Sequence, residues 1–113
     1  MRRLVALFAV FATAACAGAV ETPPSQQASM AQDGREIAEA ECAGCHAVGP
    51  YGESPNPTAP VFRTVLARYN AEVLEEELIA GIRVTHPMPD FQFNPQGADA
   101  LIAYLQSIQQ AQD

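Results

Sequence analysis

Cys42-Ala43-Gly44-Cys45-His46 sets two thiols three residues apart and places an imidazole directly after the second. That spacing reads as a covalent attachment site for haem. On a helical turn, residues three apart share a face, so both sulfurs can reach the two vinyl groups along one porphyrin edge. The next residue brings a ring nitrogen under the same porphyrin, where it serves as proximal ligand to the iron. Five consecutive residues thus supply two thioethers and one iron–nitrogen bond.

Two other uses of the motif fit less well. A redox dithiol of the thioredoxin type sits at a strand–helix junction in a βαβ pattern, and no strand alternation of useful length is visible here. A structural zinc site needs four ligands. The remaining cysteine, Cys16, falls in an export signal, so a zinc set would have to recruit His86 from across the chain.

That signal is read from Met1-Arg2-Arg3, a basic start, followed by an apolar run over residues 4–15 and then Ala14-Ala15-Cys16-Ala17-Gly18-Ala19. It has the form of a secretory signal over residues 1–19 and is too short for a spanning helix. Ala17-Gly18-Ala19 and Ala15-Cys16-Ala17 both suit ordinary signal cleavage. Ala14-Ala15-Cys16 also resembles the end of a lipoprotein signal, although Thr13 stands where such signals carry an aliphatic residue. Both cuts stay open. Either way the expected location is the periplasm, with a membrane anchor only if Cys16 is lipidated.

Residues 20–29, rich in proline and small polar side chains, read as a flexible linker. Residues 30–113 remain as one small domain. Losing Arg2 and Arg3 leaves four arginines and no lysine against thirteen acids, a formal charge of −9. Nucleic acid and anionic membrane surfaces are poor partners for such a protein, and a redox protein with a basic docking face is a good one.

The rest of the domain reads as short helices. Ser29 with Gln32 has the form of a capping box, and Gly34, Ile37, Ala38 and Glu41 follow at spacings of three and four as a narrow inner face ending at Cys42. Gly34 either lets another helix approach closely or sits in a fraying first turn. A turn-rich loop then runs to Pro60, which suits the first position of a helix reaching about Tyr69. Asn70 caps another, with Leu74, Leu78 and Ile82 inside, Glu72, Glu75, Glu76 and Glu77 outside as a solvated run, and Gly81 as terminator. Asn94-Pro95 opens the last helix, whose inner face is Ala98, Leu101, Ile102, Leu105 and Ile108.

Haem iron has a face opposite His46, and Thr85-His86-Pro87-Met88-Pro89-Asp90-Phe91 offers two ligands for it. Met88 carries a soft thioether in a stiff two-proline frame. His86 is the only other histidine. One position remains on the iron, so one of the two at most takes it, and Met88, held between Pro87 and Pro89, is preferred. An open sixth position is the third alternative.

With these motifs together, residues 30–113 resemble the class I c-type cytochromes, the small exported bacterial kind with one haem. The resemblance is carried by Cys42, Cys45 and His46, by Pro60, by the run from His86 to Phe91, and by the closing helix with Tyr104-Leu105. It implies an all-α cytochrome c fold of four to five short helices around one covalently attached haem c, with the first and last helices crossing tightly. It also implies His46 and Met88 as iron ligands, and Pro60 on the His46 side of the ring, near a backbone carbonyl that accepts the imidazole N–H. Mitochondrial members carry lysines around the haem edge. This chain has none, so their docking mode is not carried over. About 84 residues form a marginal core alone, so the expectation is a weakly ordered apoprotein and a stable, monomeric holoprotein.

The function expected from these residues is one-electron transfer, because two strong ligands leave no place on the iron for oxygen or peroxide. Two alternatives belong to other classes: a haem-bearing subunit of a membrane redox complex, and a haem enzyme or gas sensor with an open sixth site. No other group in the sequence has the look of a catalytic apparatus.

Overall fold

Ser25 starts the first helix. Its side chain accepts from the amide of Ala28 at 3.2 Å, so one of the four unpaired amides at a helix start is satisfied. The computed structural model describes residues 25–83 and 88–111. The export signal with Cys16, and His86, lie outside the described residues. Helix α1 spans Gln26–Ile37 and so begins a full turn before the Ser29 cap expected from sequence. The last residues read as linker, 26–29, are its first turn. The described residues form five helical segments and no strand.

The end of α1 widens into a π-helical stretch, Ala38–Cys42. A short 3-10 helix spans Phe62–Ala67. Helix α2 spans Ala71–Ala80, with the Asn70 side chain accepting from the amides of Glu72 and Val73, and it stops at Gly81, whose φ of 100° suits glycine. Helix α3 spans Pro95–Ile108, with Asn94 accepting from Gly97 at 2.8 Å and proline in the first turn. These caps and stops fall where the sequence put them.

α3 is the central element. Ala98 and the whole run from Ala100 to Leu105 are buried, because α1, the 3-10 helix and α2 all pack against it. α1 crosses it at Gly34. A Cβ placed there would fall on the carbonyl oxygen of Ala100 and lie 2.8 Å from the Cβ of Tyr104. Close approach is therefore the reason for this glycine, and the fraying-turn alternative falls. The core gathers Ala38, Phe62, Val65, Leu74, Leu78, Leu101 and Leu105. Among the described residues no helix is long and apolar enough to cross a membrane.

Where α2 meets α3, Glu75 faces Asp99. Their shared hydrogen bond, with some desolvation and the charges of Asp99, Glu76 and Glu72, raises the Glu75 carboxyl above the usual range. A raised carboxyl holds its proton more firmly when folded, so its stabilisation is complete below the ordinary carboxylate range. It is lost as pH climbs through the folded value, and above that the two carboxylates repel. Glu75→Gln is therefore expected to melt higher than the wild type at pH 7, with the gain shrinking towards pH 4. Thermal melts at the two pH values check this.

Candidate functional site

The π-widened turn decides where the attachment residues point. The amide of Ala43 bonds back five residues, to the carbonyl of Ala38 at 3.1 Å. This extra residue per turn is a feature that recurs at functional sites. It buries Cys42 and turns Glu41 out to solvent, correcting the expectation that Glu41 lies on the inner face. Next comes a tight turn. The amides of Cys45 and His46 both donate to the carbonyl of Cys42, at 3.1 and 2.9 Å. Cys42 is buried and Cys45 is exposed.

The following loop is pinned from several sides. The amide of Ala47 donates to the Ser54 hydroxyl at 3.0 Å, the amide of Asn56 to the carbonyl of Cys45 at 3.1 Å, and the amide of Phe62 to the carbonyl of Ala47 at 3.0 Å. From α3, the buried Tyr104 hydroxyl donates to the carbonyl of Val48 at 2.8 Å. Gln109 ties the 3-10 helix, donating to the carbonyl of Phe62 and accepting from the amide of Leu66.

This frame orients His46. The ring is buried, its Nδ1 lies 2.8 Å from the carbonyl oxygen of Pro60, and Phe62 packs against it with centroids 5.0 Å apart. A carbonyl only accepts, so Nδ1 carries the proton, and in the neutral ring the lone pair sits on Nε2. A second partner fixing the tautomer of a ligating histidine is how metal sites are usually built. Pro60 itself does not open a helix, as its position in sequence suggests. Val61 precedes the 3-10 turn in extended backbone and Phe62 begins it, which leaves the Pro60 carbonyl available to the imidazole.

Cys42, His46 and Met88 line two adjoining clefts. One encloses about 670 Å³ and continues past Phe62, Leu74, Leu78, Phe93 and Leu105. The other, about 620 Å³, is bounded by Glu41, Cys45, Pro89 and Phe91. Both volumes include space open to solvent. Met88 is half-buried and faces both clefts. The structure thus brings Cys42, Cys45, His46 and Met88 to these clefts, with Pro60 on the wall of the first; His86, the other candidate ligand, lies outside the described residues. Sequence reasoning missed Phe62, Phe93 and Glu77 as lining residues. Only the position of Glu77, three residues after Leu74 on α2, could have signalled it.

The chemistry of this donor set fits a haem. An apolar wall suits a porphyrin, two thiols suit thioethers, and an imidazole and a thioether suit iron. It fits the rivals poorly. Burial, helped by the charge of Glu41, pushes the Cys42 thiol up to about 11, whereas a redox dithiol works through a thiol whose pKa is lowered. Among the described residues no group of three or more His, Cys, Asp or Glu side chains could hold a metal ion by itself. A family model described as cytochrome c matches residues 31–109. No curated protein and no solved structure matches the chain.

Proposed function

The chain belongs to the cytochrome c family, and from that premise we propose that it is an exported one-electron carrier with a single haem c, ligated by His46 and Met88. Membership makes it a haem-binding electron-transfer protein. The observation that carries the finer reading is that Cys42, His46 and Met88 line both clefts. Cys42 and Cys45 would hold the haem as thioethers, His46 and Met88 would bind its iron, and the group supplies a metal that moves between Fe(III) and Fe(II).

The chain's own residues do the rest. The Pro60 carbonyl holds the imidazole in one orientation and keeps its proton on Nδ1. The leucines and phenylalanines of the first cleft keep water away. A thioether ligand from Met88 would favour the reduced metal and raise the potential relative to two histidines. With His46 and Met88 both holding the iron, no place would remain for oxygen or peroxide, which supports electron transfer over catalysis.

In this reading residues 1–19 are the export signal, and the domain works in the periplasm, as a monomer. A lipid on Cys16 would tether it to a membrane through residues 17–24 and the start of α1. Its partners are redox proteins with a basic face, drawn by the charge of −9. The test is carbon monoxide. The reduced wild type is expected to keep its spectrum when the gas is added. Ready formation of a carbon monoxide complex would overturn the carrier reading in favour of a sensor or enzyme.

A further inference from the structure

We propose that the outer face of α2, with Tyr69 and Val73 at its centre and Glu72, Glu76 and Glu77 around them, is where a basic redox protein docks. The proposal rests on the carrier reading above and adds where the partner sits. Residues 72, 73, 76 and 77 recur at spacings of three and four, so they form one stripe on α2, and Tyr69 stands exposed just before its cap Asn70. The opposite face, with Leu74 and Leu78, is buried in the core.

This stripe combines two features that solubility alone does not require. Tyr69 and Val73 are two of the large hydrophobic side chains left exposed, at 42% and 53%. Around them the acids stand without cations: among the described residues the ion pair formed is Arg35 with Glu39, on α1. Arg68 is the sole basic residue from 68 to 80. Glu72 in the first turn suits the positive end of the helix dipole, but Glu76 and Glu77 lie towards its negative end, where acids cost stability. An apolar centre with a charged rim of one sign is the form of a docking patch, and its modest size suits a transient redox encounter.

The patch also adjoins the cofactor site. Tyr69 and Glu77 line the first cleft as well as the outer face. A partner seated there would lie one side-chain layer from the site. Charge complementarity makes its surface rich in lysine or arginine.

The experiment follows electron exchange by stopped flow between the holoprotein and a lysine-rich mitochondrial cytochrome c, used as the basic probe, over a range of salt. The Glu72→Gln/Glu76→Gln double variant is expected to lose roughly fivefold in second-order rate at low salt, with a shallower salt dependence. Val73→Ser is expected to lose roughly twofold with the salt dependence unchanged, because only apolar contact is removed. Melting curves verify that each variant is folded. Wild-type rates in the double variant, with slowing on Glu41→Gln beside the other cleft instead, would overturn this docking face and leave the basic-partner reading intact. A wild-type rate indifferent to salt would remove both.

Discussion

Met88→Ala is expected to abolish the weak far-red absorption band of a methionine–iron(III) bond, lower the reduction potential and open the reduced iron to carbon monoxide. The fall in potential should be on the order of 0.2 V, a sizeable part of the ~0.8 V that axial ligands span. The reasoning is local. Met88 shares both clefts with Cys42 and His46, and alanine there supplies no donor atom. The thioether stabilises Fe(II) over Fe(III), so its loss lowers the potential, and the vacated position admits an exogenous ligand. His86→Ala is expected to leave the band and the potential near the wild type. A Met88→Ala protein that stays low-spin and closed to carbon monoxide, paired with a His86→Ala protein that does not, would assign the iron to two histidines.

Gly34→Ala is expected to lower the stability of the holoprotein by about 3 kcal/mol. At roughly 4–8 °C per kcal/mol for a domain of this size, that is a fall of some 12–24 °C in melting temperature. Helix propensity alone predicts the opposite sign, since alanine gains roughly 1 kcal/mol over glycine in a helix interior. Packing wins because the added methyl would overlap the main-chain carbonyl of Ala100. No rotamer change can move a backbone atom, so α1 and α3 must separate. That separation loosens the contact of Ala38 with the core and, one turn on, the segment that carries Cys42. Calorimetry of the two proteins decides the matter. A melting temperature at or above the wild type would mean that the helices do not cross this closely.

Much of this was legible in the sequence because the informative residues act locally. Asn70 and Asn94-Pro95 cap the helices that follow them, and Gly81 ends one with a positive φ. The attachment motif needs only its own five residues to be read. What stayed hidden depends on partners distant in sequence or on backbone states without a residue signature. Ser25 carries no readable cap signal because Gln26 and Gln27 give its helix a polar, unperiodic first turn. The widening at Ala38–Cys42 has no marker in the sequence, and it moves Glu41 from the expected inner face to solvent. Pro60 by its own residue type has the look of a helix start, and only the family resemblance points to a carbonyl contact with His46, fourteen residues back. The uniform run from Glu72 to Glu77 reads as one solvated face. Only the packing of α2 separates Glu77, at the cleft wall, from Glu75 beside Asp99.

The central claim is that Cys42 and Cys45 hold one haem covalently while His46 binds its iron. The most direct test is the intact mass of the purified wild-type protein after denaturation, with a parallel extraction into acidified organic solvent. A mass equal to the processed chain plus one haem, with no colour entering the solvent, is the result expected. Cys42→Ala or Cys45→Ala should retain at most one thioether. A wild-type mass equal to the bare chain, with the haem recovered in the solvent, would contradict the account.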